Sequence, residues 1–292
     1  MDTRRSTHPL EPRGGRPPAA TPTRRRHGRR LLVGLLGVAL AGYATAVGLL
    51  VWQQEALLFR PAPLPSGHRF DVGPDVQETT IDVPGAQLHA LHLRLPRPDG
   101  VVFFLHGNAG NLDGWFVNAD FYRRANLDLF MLDYRGYGKS GGRIDGEAQL
   151  MDDVRRAWQI VAPGYAGQRR VIVGRSLGSG LAAQLAAEVQ PELTVLISPY
   201  VSMVALAREH YPWVPDGVLR YPLRSDLAVP RIGTPVLLVH GGKDTLIAPW
   251  HSEHLLRLAP RGRLLRVPEA GHNDLQRFDG YLAGLRSALT TP

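Results

Sequence analysis

The chain has 292 residues, 44% hydrophobic and 21% charged, with 34 Lys+Arg against 26 Asp+Glu and a formal net charge of +8. It contains no Cys, which excludes disulfides, Cys-ligated metals and a Cys nucleophile but leaves the compartment open. Nine Arg against Asp2 and Glu11 fall within residues 1–30, so the rest of the chain is nearly neutral. A nucleic-acid-binding domain would carry its basic surface on the folded part, so no nucleic-acid partner is expected.

In chain order, residues 1–30 read as a disordered arm rich in Arg, Pro and Gly. Leu31 to Trp52 then holds no charged residue. At about 1.5 Å of helical rise each, these residues span roughly 33 Å, enough for a bilayer core. Arg is dense before this segment, and only Arg60 and Arg69 follow within eighteen residues. The positive-inside rule therefore predicts a single-pass anchor, with its N-terminus cytoplasmic and the remainder extracytoplasmic (periplasmic side). The alternatives are a signal peptide cleaved near Ala44-Thr45-Ala46 and a buried helix. The apolar run continues from Val47 to Trp52, which favours the uncleaved anchor. Arg29-Arg30-Leu31-Leu32 lacks the flanks of a twin-arginine signal. Arg greatly outnumbers Lys139 and Lys243, a bias that suggests a bacterial source.

Residues 53–75, rich in Pro, read as a juxtamembrane linker, and residues 76–292 as one folded domain. Gln77 to Val83 and Ala86 to Leu95 alternate around Pro84-Gly85, predicting an antiparallel hairpin. From there strands and helices alternate to the end, predicting an α/β fold built on a parallel sheet. Val101 to Leu105 is a continuous apolar run, as a buried strand should be, and leads into His106-Gly107-Asn108-Ala109-Gly110-Asn111. Leu127 to Asp133 is another strand. The following Gly136-Tyr137-Gly138-Lys139-Ser140-Gly141 imitates both a dinucleotide fingerprint and a P-loop ending. A P-loop would need Gly where Asp133 stands, and a dinucleotide loop would open directly into a helix instead of waiting until about Glu147. No nucleotide is implied.

Val171-Ile172-Val173-Gly174-Arg175-Ser176-Leu177-Gly178 is the most informative stretch. A short β-branched run ends in G-x-S-x-G, and a small-residue helix pattern follows at once, the setting of a nucleophile elbow. Between Pro199 and Thr234 lies a long connection, about residues 200–233, that reads as a small lid. Its Tyr211 and Trp213 either line an acyl pocket or pack the lid onto the body. Pro235 to His240 and Leu264 to Val267 are two more strands, followed by loops bearing Asp244 and His272.

Ser176, Asp244 and His272 thus sit at the C-terminal ends of strands, where open α/β sheets gather their sites. Their order along the chain is that of the α/β-hydrolase triad. Serine needs a base to take its proton, imidazole is a competent base near neutral pH, and a carboxylate fixes the imidazole tautomer. Backbone N–H groups of Leu177 and Asn108, with Ala109 as the near alternative, are the candidate oxyanion donors. His106 and His240 read as structural, and His210, His251 and His254 as helical or lid residues. Asp216, Asp226 and Asp274 are the competing acids, Asp274 lying too near His272 in sequence to be its orienting partner.

On Phe104 to Asn111, Asp133 to Ser140, Gly174 to Gly178, His240 to Asp244 and Gly271 to Asp274, the chain resembles the α/β-hydrolase superfamily. Within it, the likeness is to the membrane-anchored, serine-aminopeptidase-like branch related to ABHD-type hydrolases. The resemblance covers about residues 76–290. It implies an eight-stranded, mostly parallel sheet flanked by helices, with no metal and no cofactor. Esterases, lipases, thioesterases and peptidases share this fold, so the resemblance does not choose a substrate. The expected activity is cleavage of a carboxylic ester, thioester or acyl lipid through an acyl-enzyme on Ser176, because an activated leaving group asks least of the site. An aminopeptidase or amidase of the same fold, and a catalytically silent membrane-anchored binding domain, are the alternatives.

Overall fold

The computed structural model describes residues 23–291, with side chains from residue 28, so most of the expected arm lies outside the described residues. The chain divides into two compact units, Met1–Leu49 and Leu50–Pro292. A helix runs over Thr23–Trp52. It takes in residues 23–30, which the sequence assigns to the arm. Arg is a good helix former, and a helix once nucleated extends through such residues. The stretch Gly28–Trp52 is long and apolar enough to cross a membrane.

In the second unit, eight strands form one sheet: β1 Val76–Val83, β2 Ala86–Leu93, β3 Gly100–Leu105, β4 Leu127–Leu132, β5 Arg169–Arg175, β6 Leu193–Ile197, β7 Val236–Gly241 and β8 Gly262–Val267. Their spatial order is β8-β7-β6-β5-β3-β4-β2-β1. β2 runs antiparallel to both its neighbours, and every other pair is parallel. The sheet is therefore mixed, mostly parallel and eight-stranded. The hairpin closes where expected, with Val83 opposite Ala86 and Gly85 at φ 76°, a backbone conformation that glycine adopts without strain.

β3 and β4 are buried at every position because helices cover both faces of the sheet. Side chains alternate along a strand, so Val101, Phe103 and Leu105 enter one core and Val102 and Phe104 the other. Helices Glu147–Val161, Leu177–Val189 and Trp250–Leu258 supply the first core. Helices Ala119–Arg124 and Asp279–Thr290 supply the second. The edge strand β1 alternates buried and exposed residues over its second half, as a strand with one solvated face does.

Residues 53–75, expected as a juxtamembrane linker, dock onto the domain through Gln54–Pro61. Gln54–Leu58 is a short helix, and its Gln54 is only 2% exposed. The Gln54 amide donates to the Val218 carbonyl at 2.8 Å and accepts from the Arg220 N–H at 2.8 Å. Phe59 is buried edge-on against Tyr221, with ring centroids 5.0 Å apart. Arg60–Pro61 pairs in parallel with Ala109–Gly110. Apolar Leu and Phe side chains in this segment need a partner, and they find it on the connection between β6 and β7.

That connection, the expected lid, carries helices Met203–His210 and Ser225–Ala228. The glycine-rich loop after β4 folds onto itself. Gly138 lies at φ 49°, and a Cβ there would come 2.0 Å from Asp133 Oδ2. Ser140 Oγ donates to the Asp133 carbonyl at 2.7 Å. The loop's polar groups serve the fold.

Candidate active site

β5 ends at Arg175 and the next helix starts at Leu177, leaving Ser176 alone in the turn. Its backbone sits at φ 51° and ψ −120°, a combination that L residues avoid. Two glycines make the turn possible. A Cβ on Gly174 would lie 2.3 Å from the Gly178 carbonyl oxygen, and one on Gly178 would lie 2.1 Å from that of Leu105. The Ser176 N–H is held by the Ile197 carbonyl at 2.9 Å. The hydroxyl thereby projects above the strand ends at the N-terminus of a buried helix.

His272 lies on the loop after β8, with Nε2 3.0 Å from Ser176 Oγ and Nδ1 2.7 Å from Asp244 Oδ2. A carboxylate only accepts, so Nδ1 carries the ring proton and Nε2 is left to accept from the serine hydroxyl. Asp244, on the loop after β7, is 5% exposed. Its Oδ1 accepts from the N–H groups of Leu246 at 3.0 Å and Ile247 at 2.9 Å. Burial alone would raise its pKa. Contacts with His240, His272 and the Ile247 N–H outweigh burial and hold the carboxyl well below the usual range.

Two supports escaped the sequence reading. His240 is buried beneath the Asp244 loop, as expected, but it also sits 3.4 Å from Asp244 Oδ2. Its Nε2 lies 2.8 Å from the Ile247 carbonyl, which can only accept, so that nitrogen is protonated and faces both oxygens. Its Nδ1 meets Ser252 Oγ at 2.6 Å. Arg175, the variable residue of G-x-S-x-G, donates to the His272 carbonyl at 3.0 Å and lies over the Trp115 ring. The one signal in the sequence for these was position, since both residues adjoin the motifs that carry the candidates.

The competing residues are engaged elsewhere. Asp274 Oδ1 accepts from the Gly271 N–H at 2.7 Å, inside its own loop. Asp216 pairs with Arg208 and Asp226 with Arg224. His106 is fully buried, with Nδ1 2.7 Å from the Gly107 carbonyl. Its Nε2 is 3.4 Å from Asp133 Oδ1 and makes no hydrogen bond. Ser179 Oγ is turned back to the Ser176 carbonyl at 2.6 Å.

Asn108 and Leu177 line the same cavity as Ser176. The Asn108 peptide is pinned by its carbonyl, which accepts from Tyr137 Oη at 2.6 Å and the Arg60 N–H at 2.8 Å. Ala109 instead pairs with Arg60, and its carbonyl takes the Trp115 indole N–H at 2.7 Å.

Residues 96–222 match the family model described as Serine aminopeptidase, S33. The uncharacterized protein Rv2307c of Mycobacterium tuberculosis is 33% identical over 263 residues, spanning 85% of this chain and 91% of its own. Alpha/beta hydrolase domain-containing protein aho-3 of Caenorhabditis elegans is 31% identical over 203 residues, spanning 67% of this chain and 59% of its own. The chain belongs to the α/β-hydrolase superfamily. Among solved structures, the Pyrococcus furiosus esterase Pf2001 superposes on this α/β hydrolase with a TM-score of 0.64 at 19% identity, covering 79% of this chain and 98% of that one. A thioesterase domain from the curacin biosynthetic pathway gives 0.56 at 17% identity, covering 74% and 99%. At such identities these two likenesses speak for the fold.

The cavity of this hydrolase beside Ser176 measures about 240 Å³. Its walls are mostly apolar, built by Leu57 and Leu58 of the first short helix, by Met203, Leu206 and Tyr211 of the connection between β6 and β7, and by Leu246. Of the two aromatics singled out in the sequence of this connection, Tyr211 lines the cavity and Trp213 is not among its lining residues.

Proposed function

We propose that this enzyme is a serine hydrolase that cleaves an ester of a carboxylic acid through an acyl-enzyme on Ser176. The observation that carries the reading is the Ser176–His272–Asp244 hydrogen-bonded chain, with its serine held at φ 51° above the strand ends. In the first half-reaction His272 Nε2 takes the serine proton as Oγ attacks the acyl carbon. The same proton then goes to the leaving oxygen. In the second half-reaction His272 activates water, the Ser176 ester breaks, and the free acid leaves. Asp244 holds the Nδ1 proton and stabilises the imidazolium. The N–H groups of Asn108 and Leu177 receive the negative charge on the carbonyl oxygen.

The cavity lining favours an acyl chain over a peptide N-terminus. An aminopeptidase must neutralise an α-ammonium group, and among the described residues no Asp or Glu lines this cavity, whereas Arg60 does. Trp52 ends the apolar helix only two residues before Gln54, whose helix forms one wall of the cavity. A single-pass anchor, with the N-terminus cytoplasmic and this domain extracytoplasmic, places such a wall next to lipid. The test is labelling with a fluorophosphonate in detergent. Wild type should label and turn over p-nitrophenyl esters, and Ser176→Ala should do neither. Well-folded wild-type protein that neither labels nor turns over would favour the silent-binder reading.

A further inference from the structure

A second, larger cavity of about 630 Å³ adjoins the first, and Arg60 lines both. Where the cavity beside Ser176 is apolar, this one is basic. Arg60, Arg135, Arg143 and Arg220 line it against Glu55 and Asp145. The carboxylates do not cancel the cations. Arg135 is spent on Asp153, with bonds of 2.6 and 2.8 Å. Arg220 is spent on Glu55, which also accepts from Tyr221 Oη. The Arg60 and Arg143 guanidinium groups have no partner among the described residues, and Asp145 is the one unspent acid facing them. Two guanidinium groups outside any ion pair, set against the single carboxylate of Asp145, leave this concavity net positive and are a site for a group with several anionic oxygens, which they can bind by paired N–H donors. Trp52, the last residue of the long apolar helix, stands on the rim of the same cavity. An aromatic there suits a membrane interface, where headgroups lie.

Resting on the serine-hydrolase reading above, we propose that the substrate is a phosphate-bearing glycerolipid. Its ester carbonyl meets Ser176, its acyl chain fills the apolar cavity, and its phosphate reaches the basic cavity across Arg60. Arg60 and Arg143 are then specificity-determining residues. Arg60 is placed by its backbone pairing with Ala109, which ties the anion site to the loop carrying Asn108. The chemistry balances as ordinary ester hydrolysis. Water adds to the acyl carbon, the acyl–oxygen bond breaks, and the phosphate stays on the glycerol fragment as a binding handle. A bound handle remote from the reacting carbon raises kcat/KM for substrates that carry it.

The experiment uses the full-length protein in neutral detergent with two monomeric short-chain substrates, dihexanoyl phosphatidic acid and dihexanoylglycerol. Monomeric substrates remove the general attraction of an Arg-rich arm to anionic membranes. Wild type should prefer the phosphate-bearing ester in kcat/KM, with the preference falling as ionic strength rises. Arg60→Gln and Arg143→Gln should each lower the ratio of the two kcat/KM values by about tenfold, the effect of losing one charge-assisted hydrogen bond. Arg97→Gln, an exposed charge away from both cavities, should leave the ratio at the wild-type value. A wild-type ratio at or below one, or a ratio unmoved by Arg60→Gln, overturns the proposal while fluorophosphonate labelling of Ser176 leaves the hydrolase reading standing. Failure of labelling in folded protein overturns both.

Discussion

Replacing Ser176 with glycine should make the protein more stable than replacing it with alanine, although both variants should be inactive. Both substitutions delete the hydroxyl and its 3.0 Å contact with His272, so that loss cancels in the comparison. They differ in the Cβ. At φ 51° and ψ −120° a residue with a Cβ is strained by about 1 to 3 kcal/mol, and glycine is not. Against this, glycine gains about 0.4 to 1 kcal/mol of extra freedom in the unfolded chain. The difference leaves Ser176→Gly about 0.5 to 2 kcal/mol more stable than Ser176→Ala. For a domain of this size, roughly 2 to 4 °C of Tm per kcal/mol converts that to a gain of about 1 to 8 °C. The measurement is paired thermal and urea unfolding of the two variants in one detergent, monitored by tryptophan fluorescence. A glycine variant that melts at or below the alanine variant would refute the idea that the elbow stores strain in order to expose its hydroxyl.

Ser176→Ala or His272→Ala alone should each remove on the order of 10⁶-fold of turnover, and the double variant little more, because the groups act as a unit. Additive losses in p-nitrophenyl ester kinetics would argue against that unit. Asp244→Asn should fold and lose roughly 10⁴-fold, since an amide favours the wrong imidazole tautomer. The same variant tests pH linkage. The folded Asp244 carboxyl is held below its unfolded value of about 3.9, so its contribution to stability is present above that pH and lost as pH falls through the folded value. Urea unfolding should therefore show the wild-type advantage over Asp244→Asn shrinking only in strong acid, and an advantage that fades already near pH 6 would contradict this. Arg135→Ala leaves the buried Asp153 carboxylate without its partner and should cost about 3 to 5 kcal/mol in chemical denaturation, with a loss under 1 kcal/mol showing that water reaches the pair.

The order of Ser176, Asp244 and His272, and their places at strand ends, were legible in the sequence because each follows a strand pattern, buried in the case of Ser176 and Asp244, and sits in a glycine-marked loop. β-Strand periodicity and turn chemistry are local properties, and local properties can be read one segment at a time. The same holds for the hairpin at Gly85 and for the apolar span ending at Trp52. Contacts between distant segments left no such trace. Gln54 bonds to residues 164 and 166 positions away, and nothing around it distinguishes a docked helix from a Pro-rich spacer. Arg175 supports His272 from 97 positions away, a contact that a single sequence does not encode as a pattern. Arg60 looked like one stray charge after the apolar span. Its place between an apolar and a basic cavity is set by pairing with Ala109 on a strand-end loop, so its meaning exists only once the chain has folded.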